Sequence, residues 1–178
     1  MKQTPRRWQI QALEQWRKTN LRGIAKVVTG GGKTTFAGMC AQGALSRGEV
    51  SHVVIVVPTL ALADQWYVAM MQDFQVSDKD LSIWSGRSKS FNLGKWTIVT
   101  FATAAKKAKE LSEQGDGLLI VDECHHAGAP TFLSLADQNW AATLGLSATP
   151  EREYDSTFDD IIVPVLGPVL IEYAYEDA

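Results

Sequence analysis

Cysteine is scarce in this chain of 178 residues. Only Cys40 and Cys124 occur, too few for a disulfide framework, so the sequence points to an intracellular, reducing compartment: cytoplasmic, or nuclear in a eukaryote. Long hydrophobic runs are also missing. The longest, such as "VVIVVP", are too short to cross a bilayer, and "MKQTPRRWQI" has no apolar segment behind its charges to serve as a secretory signal. No membrane partner is expected. A surplus of positive charge is lacking as well: 17 Lys and Arg against 20 Asp and Glu give a net charge of -3. That balance excludes a uniformly basic nucleic-acid coat while leaving room for local phosphate contacts. No linker, internal repeat or low-complexity segment divides the chain. With 46% hydrophobic and 21% charged residues, it has the composition of one globular domain with a substantial core.

What the sequence does contain is an alternation. Short β-rich runs lie at 24–28 ("IAKVV"), 52–57 ("HVVIVV"), 81–84 ("LSIW"), 96–100 ("WTIVT"), 117–121 ("GLLIV") and 143–147 ("TLGLS"). Between several of them the spacing predicts helices over 33–47, 60–74, 103–114 and 131–138. Strands apolar on both faces and separated by helices imply an α/β fold, a mainly parallel sheet with helices on both faces. Such sheets bind ligands beyond the carboxyl ends of their strands, so the residues just after each apolar run are the candidates for chemistry.

After the first run comes "TGGGKTT": Thr29, Gly30, Gly31, Gly32, Lys33, Thr34 and Thr35. Three glycines let successive N–H groups face one anion, and the helix starting near Lys33 adds the positive end of its dipole. Lys33 is placed to reach the β- and γ-phosphates of ATP, and the Thr34 hydroxyl to ligate Mg²⁺. Val27 stands where the full phosphate-loop pattern has its first glycine. The plainer alternative is a glycine-rich turn between strand and helix.

The stretch "LLIVDECHHAG" (118–128) supplies the second half of such a site. Asp122, at the end of a strand, fits the carboxylate that holds the metal from the other side, and Glu123 the group that orients and deprotonates an attacking water. A zinc cluster suits this stretch poorly. Cys124, His125 and His126 are adjacent, without the usual intervals between ligands, and the other soft ligands are Cys40 and His52. A Cys/His nucleophile pair fares no better, because neighbours on an extended chain point in different directions. Cys124 reads as a small packing residue.

Taken in order, "TGGGKT", "VDECHH" and "LSATP" resemble motifs I, II and III of the first RecA-like domain of superfamily 2 helicases and translocases, in the Asp-Glu-x-His group. "PTLALADQW" (58–66) is similar to motif Ia, "VTFATA" (99–104) to motif Ib, and "RRWQIQAL" (6–13) to the N-terminal element that reads adenine. The forms "GLSATP" and "PVLGPVLIEYAYEDA" look most like the branch of DNA-repair translocases and restriction-enzyme motors. They look less like the RNA-handling Asp-Glu-Ala-Asp branch.

The resemblance implies a RecA-like P-loop NTPase and assigns roles. Gln9 would bond the adenine edge, with Arg6 or Trp8 near the base. Lys33, Asp122, Glu123 and His125 would form the catalytic set, with His125 sensing the γ-phosphate and His126 structural. Ser147 and Thr149 would couple nucleotide state to nucleic acid, and Pro58, Thr59 and Thr100 would grip its backbone, DNA being favoured over RNA. The blander alternatives are that Trp8 and Gln9 merely start a surface helix and that "SATP" is a hydroxyl turn before Pro150. "SGRSKS" (85–90) and "KKAK" (106–109) either extend the track or are solvated charge.

A second RecA-like domain, in cis or trans, would supply an arginine finger. The stop at Ala178 accordingly reads as an excised first domain, an ATP hydrolase weak by itself. Three other functions remain in view: a nucleotide-binding interaction module, an RNA helicase domain, and a small-molecule P-loop kinase, for which no acceptor site or lid is evident.

Overall fold

In the computed structural model, residues 4–84, 93–148 and 158–174 are described. They begin with α1 (Arg7–Lys18), which leads into β1 (Arg22–Val27), α2 (Lys33–Ser46), β2 (His52–Val57), α3 (Leu60–Gln72) and β3 (Leu81–Trp84). Then follow β4 (Trp96–Thr100), α4 (Phe101–Ser112), β5 (Gly117–Val121), a 3₁₀ turn (Cys124–His126) and α5 (Ala129–Ala136). After β6 (Ala142–Ser147), a π-helical turn (Phe158–Ile162) leads to α6 (Val163–Leu166) and β7 (Val169–Tyr173). The expected parallel sheet is present: seven strands in the order β3-β4-β2-β5-β6-β1-β7, every pairing parallel.

Alternate residues of each central strand feed opposite faces, as a period of two requires. Val53, Ile55 and Val57 of β2 join Leu118 and Ile120 of β5 under Trp8, Trp16, Phe36 and Met70, from α1, α2 and α3. Val54 and Val56 join Leu119 and Val121 under Leu111, Phe132, Leu135 and Leu166, from α4, α5 and α6. Both faces are therefore dry. All six residues of β2 are buried, which is why "HVVIVV" shows no polar alternation.

All six expected strands and four expected helices are present, four of the strands with the expected ends and the other elements shifted by at most two residues. Besides three short turns and helices, Cys124–His126, Phe158–Ile162 and α6, two longer elements were not expected as such. Over α1 only a possible surface helix was considered, yet Trp8, Gln9, Ala12 and Trp16 are buried on its inner face. The sheet also gains β7, an edge strand of exposed and half-buried residues, paired with β1. No helix among the described residues is long and apolar enough to cross a membrane.

Candidate nucleotide and nucleic-acid site

Strand order decides what lies beside what. At the carboxyl ends, β4, β2, β5, β6 and β1 present in turn Thr100, Pro58 and Thr59, Asp122 and Glu123, Ser147, and the glycine loop. Residues scattered over most of the sequence thus share one edge.

The loop is shaped by its glycines. Gly30 and Gly32 have φ of +77° and +95°, a region that side chains disfavour. Gly31 has a different constraint: a Cβ there would come within 2.5 Å of Val27 Cγ1 and 2.8 Å of the Val28 carbonyl oxygen. Val27 is fully buried, so the departure at the first-glycine position places a core side chain directly beneath the loop. From outside, α1 pins the loop. The Trp8 indole N–H donates to the Gly31 carbonyl at 3.1 Å, Arg6 Nη1 donates to the same oxygen at 3.3 Å, and Gln9 Nε2 donates to the Gly32 carbonyl at 3.0 Å. Gln9 Oε1 accepts the Arg6 N–H at 2.8 Å. Gln9 is 2% exposed and its amide is engaged with Arg6 and the loop, so the structure places it behind the loop and not among the residues that line the adjoining cavity.

Beside the loop lies a cavity of about 740 Å³, lined by Arg6, Arg7, Trp8 and Gln11 on one side and Ile171, Glu172 and Tyr173 on the other. Trp8 and Tyr173 stack within it at 5.6 Å and 28°. The aromatic and cationic walls suit a purine next to phosphates. Tyr173 was missed from sequence, since an isolated tyrosine on an edge strand carries no pattern.

Lys33, the first residue of α2, donates to Glu123 Oε1 at 2.9 Å. Glu123 adopts a left-handed conformation (φ +46°, ψ +47°), rare for a residue with a side chain and recurrent at functional turns. Its Oε2 accepts the Ala148 N–H at 3.3 Å. Burial raises the Glu123 pKa, but the hydrogen bond and charge of Lys33, helped by Ala148 and His125, outweigh it and leave the carboxyl below its ordinary range. Asp122 shows the opposite balance: it is 6% exposed, and burial drives its pKa up against the hydrogen bond from Trp66.

The next strand end joins in through His125, whose Nδ1 lies 2.8 Å from Ser147 Oγ and 3.7 Å from Glu123 Oε2. Burial, reinforced by His126, lowers its pKa, so the ring is neutral at pH 7. Cys124 is a packing residue: it is fully buried, its thiol is pushed up to about 12, and a Cβ on Gly145 would lie 3.3 Å from its sulfur.

The residues fit a magnesium nucleotide. Each Asp122 oxygen accepts one protein N–H, Oδ1 from Glu123 N at 2.9 Å and Oδ2 from Trp66 Nε1 at 2.7 Å, which leaves lone pairs for a cation. Thr34 is half-buried in the first turn of α2, while Thr29 is exposed. On the far side of the edge, Thr59 caps α3 by accepting the Leu62 N–H at 3.2 Å, so its hydroxyl proton stays available. Thr100 precedes α4, 3.2 Å from the Thr103 hydroxyl.

The "KKAK" segment is largely self-paired, with Lys107 on Glu110 at 2.7 Å and Lys109 on Glu113 at 3.6 Å. Thr149, Pro150 and the "SGRSKS" stretch lie outside the described residues.

A family model described as "Type III restriction enzyme, res subunit" matches residues 2–152. The chain belongs to this family. Among its curated relatives, the DNA 3'-5' translocase XPB2 of Sulfurisphaera tokodaii is 34% identical over 97% of the chain and 36% of its own length. The DNA 3'-5' helicase XPB of Mycobacterium tuberculosis is 29% identical over 87% and 28%. The crystal structure of the UvsW helicase from bacteriophage T4 superposes with a TM-score of 0.79 at 23% identity, covering 94% of this chain and 60% of that one. The chain spans between 21% and 36% of the length of three curated relatives that it matches. Family and fold together identify it as a first RecA-like domain of superfamily 2, in the DNA-repair and restriction branch.

Proposed function

We propose that this chain is the ATP-binding half of a DNA-acting, ATP-hydrolysing motor inside the cell, completed by a second RecA-like domain in cis or trans. The observation that carries the reading is the connected set Lys33, Glu123, Ala148, Ser147 and His125, which joins the phosphate loop to two neighbouring strand ends. A phosphoryl-transfer site needs this kind of positioning, because the protein does little covalent chemistry.

ATP lies with its base against Trp8 and Tyr173, near Gln9 and Arg6, and its phosphates over Thr29 to Thr35. Lys33 carries two further N–H donors for phosphate oxygens. Thr34 and Asp122 would hold Mg²⁺, which would neutralise charge on the transferring phosphoryl group. Glu123 orients the attacking water and accepts its proton. His125 and Ser147 relay nucleotide state along the strand ends, with Thr149 continuing that path, while Pro58, Thr59 and Thr100 contact strand phosphates. The names of the relatives, a DNA 3'-5' translocase and a DNA 3'-5' helicase, support DNA over RNA. Backbone contacts of this sort give weak sequence preference and strong salt dependence.

The test is Mg-ATP hydrolysis by the chain, alone and with DNA or RNA, single- or double-stranded, with Lys33→Ala and Glu123→Gln as controls. Nucleotide binding with turnover near background, and DNA-stimulated turnover once a second RecA-like domain is added, is the expected result. Robust strand-stimulated turnover by the chain alone would overturn the two-part reading. Silence with the second domain present would favour a nucleotide-binding interaction module.

A further inference from the structure

Asp122 is held by two donors of different origin. One is local, the N–H of Glu123 in the turn that follows β5. The other comes from far along the chain: the indole of Trp66, on α3, which donates to Oδ2 at 2.7 Å. Trp66 is 2% exposed and shares the inner face of α3 with Ala63 and Met70, so its ring is locked by packing on the sheet. An indole has a single donor, and here it is committed to a carboxylate in a dry environment. A buried carboxylate held from both sides cannot rotate freely about its Cβ–Cγ bond. Losing a group that fixes a ligand's orientation in this way typically costs about 10- to 100-fold in metal affinity.

We propose that Trp66 is a positioning residue for Asp122, fixing the rotation of its carboxylate so that Mg²⁺ affinity depends on an indole supplied by a neighbouring helix. This rests on the reading of Asp122 as a magnesium ligand. α3 is also the helix whose N-terminal Thr59 is placed to meet a strand phosphate, so the metal ligand and the strand contact share one rigid mount.

The experiment titrates Mg²⁺ against a fluorescent ATP analogue bound to the full chain and reads the half-saturating Mg²⁺ concentration. Trp66→Phe keeps most of the apolar volume and removes the N–H. It should raise the half-saturation point about tenfold while leaving metal-free nucleotide binding unchanged. Trp16→Phe is the control for a merely structural loss: it deletes an equally buried indole donor, whose acceptor is the Thr143 carbonyl at 2.9 Å. Its Tm should fall with no change in the magnesium midpoint. A folded Trp66→Phe chain with a native midpoint would overturn the proposal. Should Trp66→Phe not fold, the native chain decides. The assigned Trp66 indole N–H resonance must move when Mg²⁺ is added to the nucleotide complex, and an unmoved resonance refutes the role. A native chain with no magnesium-dependent nucleotide binding would instead defeat the motor reading, and this inference with it.

Discussion

The two ends of the functional edge are built differently. At β1, β5 and β6 the polar side chains are already partnered: Lys33 with Glu123, Glu123 with the Ala148 N–H, His125 with Ser147, and Asp122 with Trp66 of α3. At β2 and β4, Thr59 is exposed and Thr100 half-buried, and their hydroxyls make only short-range contacts. The first region is preorganised, as charge stabilisation in a water-poor site demands. On the proposed reading the second is a contact surface, whose donors would find strong acceptors when a strand binds. Nucleotide chemistry should therefore depend steeply on single side chains, and strand binding shallowly on many.

The sharpest test of that contrast is Glu123→Gln. Measured as phosphate release in the assembly completed by a second domain, turnover should fall about 10²- to 10⁴-fold while nucleotide binding stays within a few-fold of native. Lys33→Ala comes next, with nucleotide affinity reduced roughly 100-fold by equilibrium titration, the order expected when a charge-assisted contact is lost. Thr59→Ala and Thr100→Ala should each weaken DNA binding only about two- to tenfold and leave nucleotide affinity in place. An equal effect of either threonine on nucleotide binding would erase the distinction between the two regions.

The smallest effect lies away from both. His52 is buried against the Leu111 carbonyl, and burial lowers its pKa despite the opposing pull of that carbonyl and of Asp116. The folded chain thus binds this proton less readily than the unfolded chain. Stability is full above the ordinary histidine range and declines as pH falls through it. Between pH 7.5 and 5.5 the Tm of the native chain should drop more steeply than that of His52→Gln.

The sequence was most readable where one residue type repeats in an uninterrupted run. "HVVIVV" and "GLLIV" are buried on both faces, and the apolar run alone marks them as strands. The positions of the glycine loop and the Asp122–Glu123 pair were legible because each is a local run of residues directly after a strand. α1 was harder to read, since its inner face includes Gln9, a polar residue buried by its bonds to Arg6 and Gly32. β7 hides because an edge strand buries too little to leave a pattern. The contact of Trp66 with Asp122 could not be read at all. Helical spacing places Ala63, Trp66 and Met70 on one face, but which carboxylate that face meets depends on β2 and β5 being neighbours in the sheet.

That order of strands has a further consequence in the cavity beside the phosphate loop. One wall comes from residues 6–11 and the opposite wall from 171–173, so the first described helix and the last described strand must meet before the cavity exists. Few contacts in the molecule span a greater length of chain, and closing so long a loop is entropically costly until the intervening sheet is assembled. If a base binds there, as proposed, nucleotide affinity reports whether residues 6–11 have met residues 171–173 across the assembled sheet.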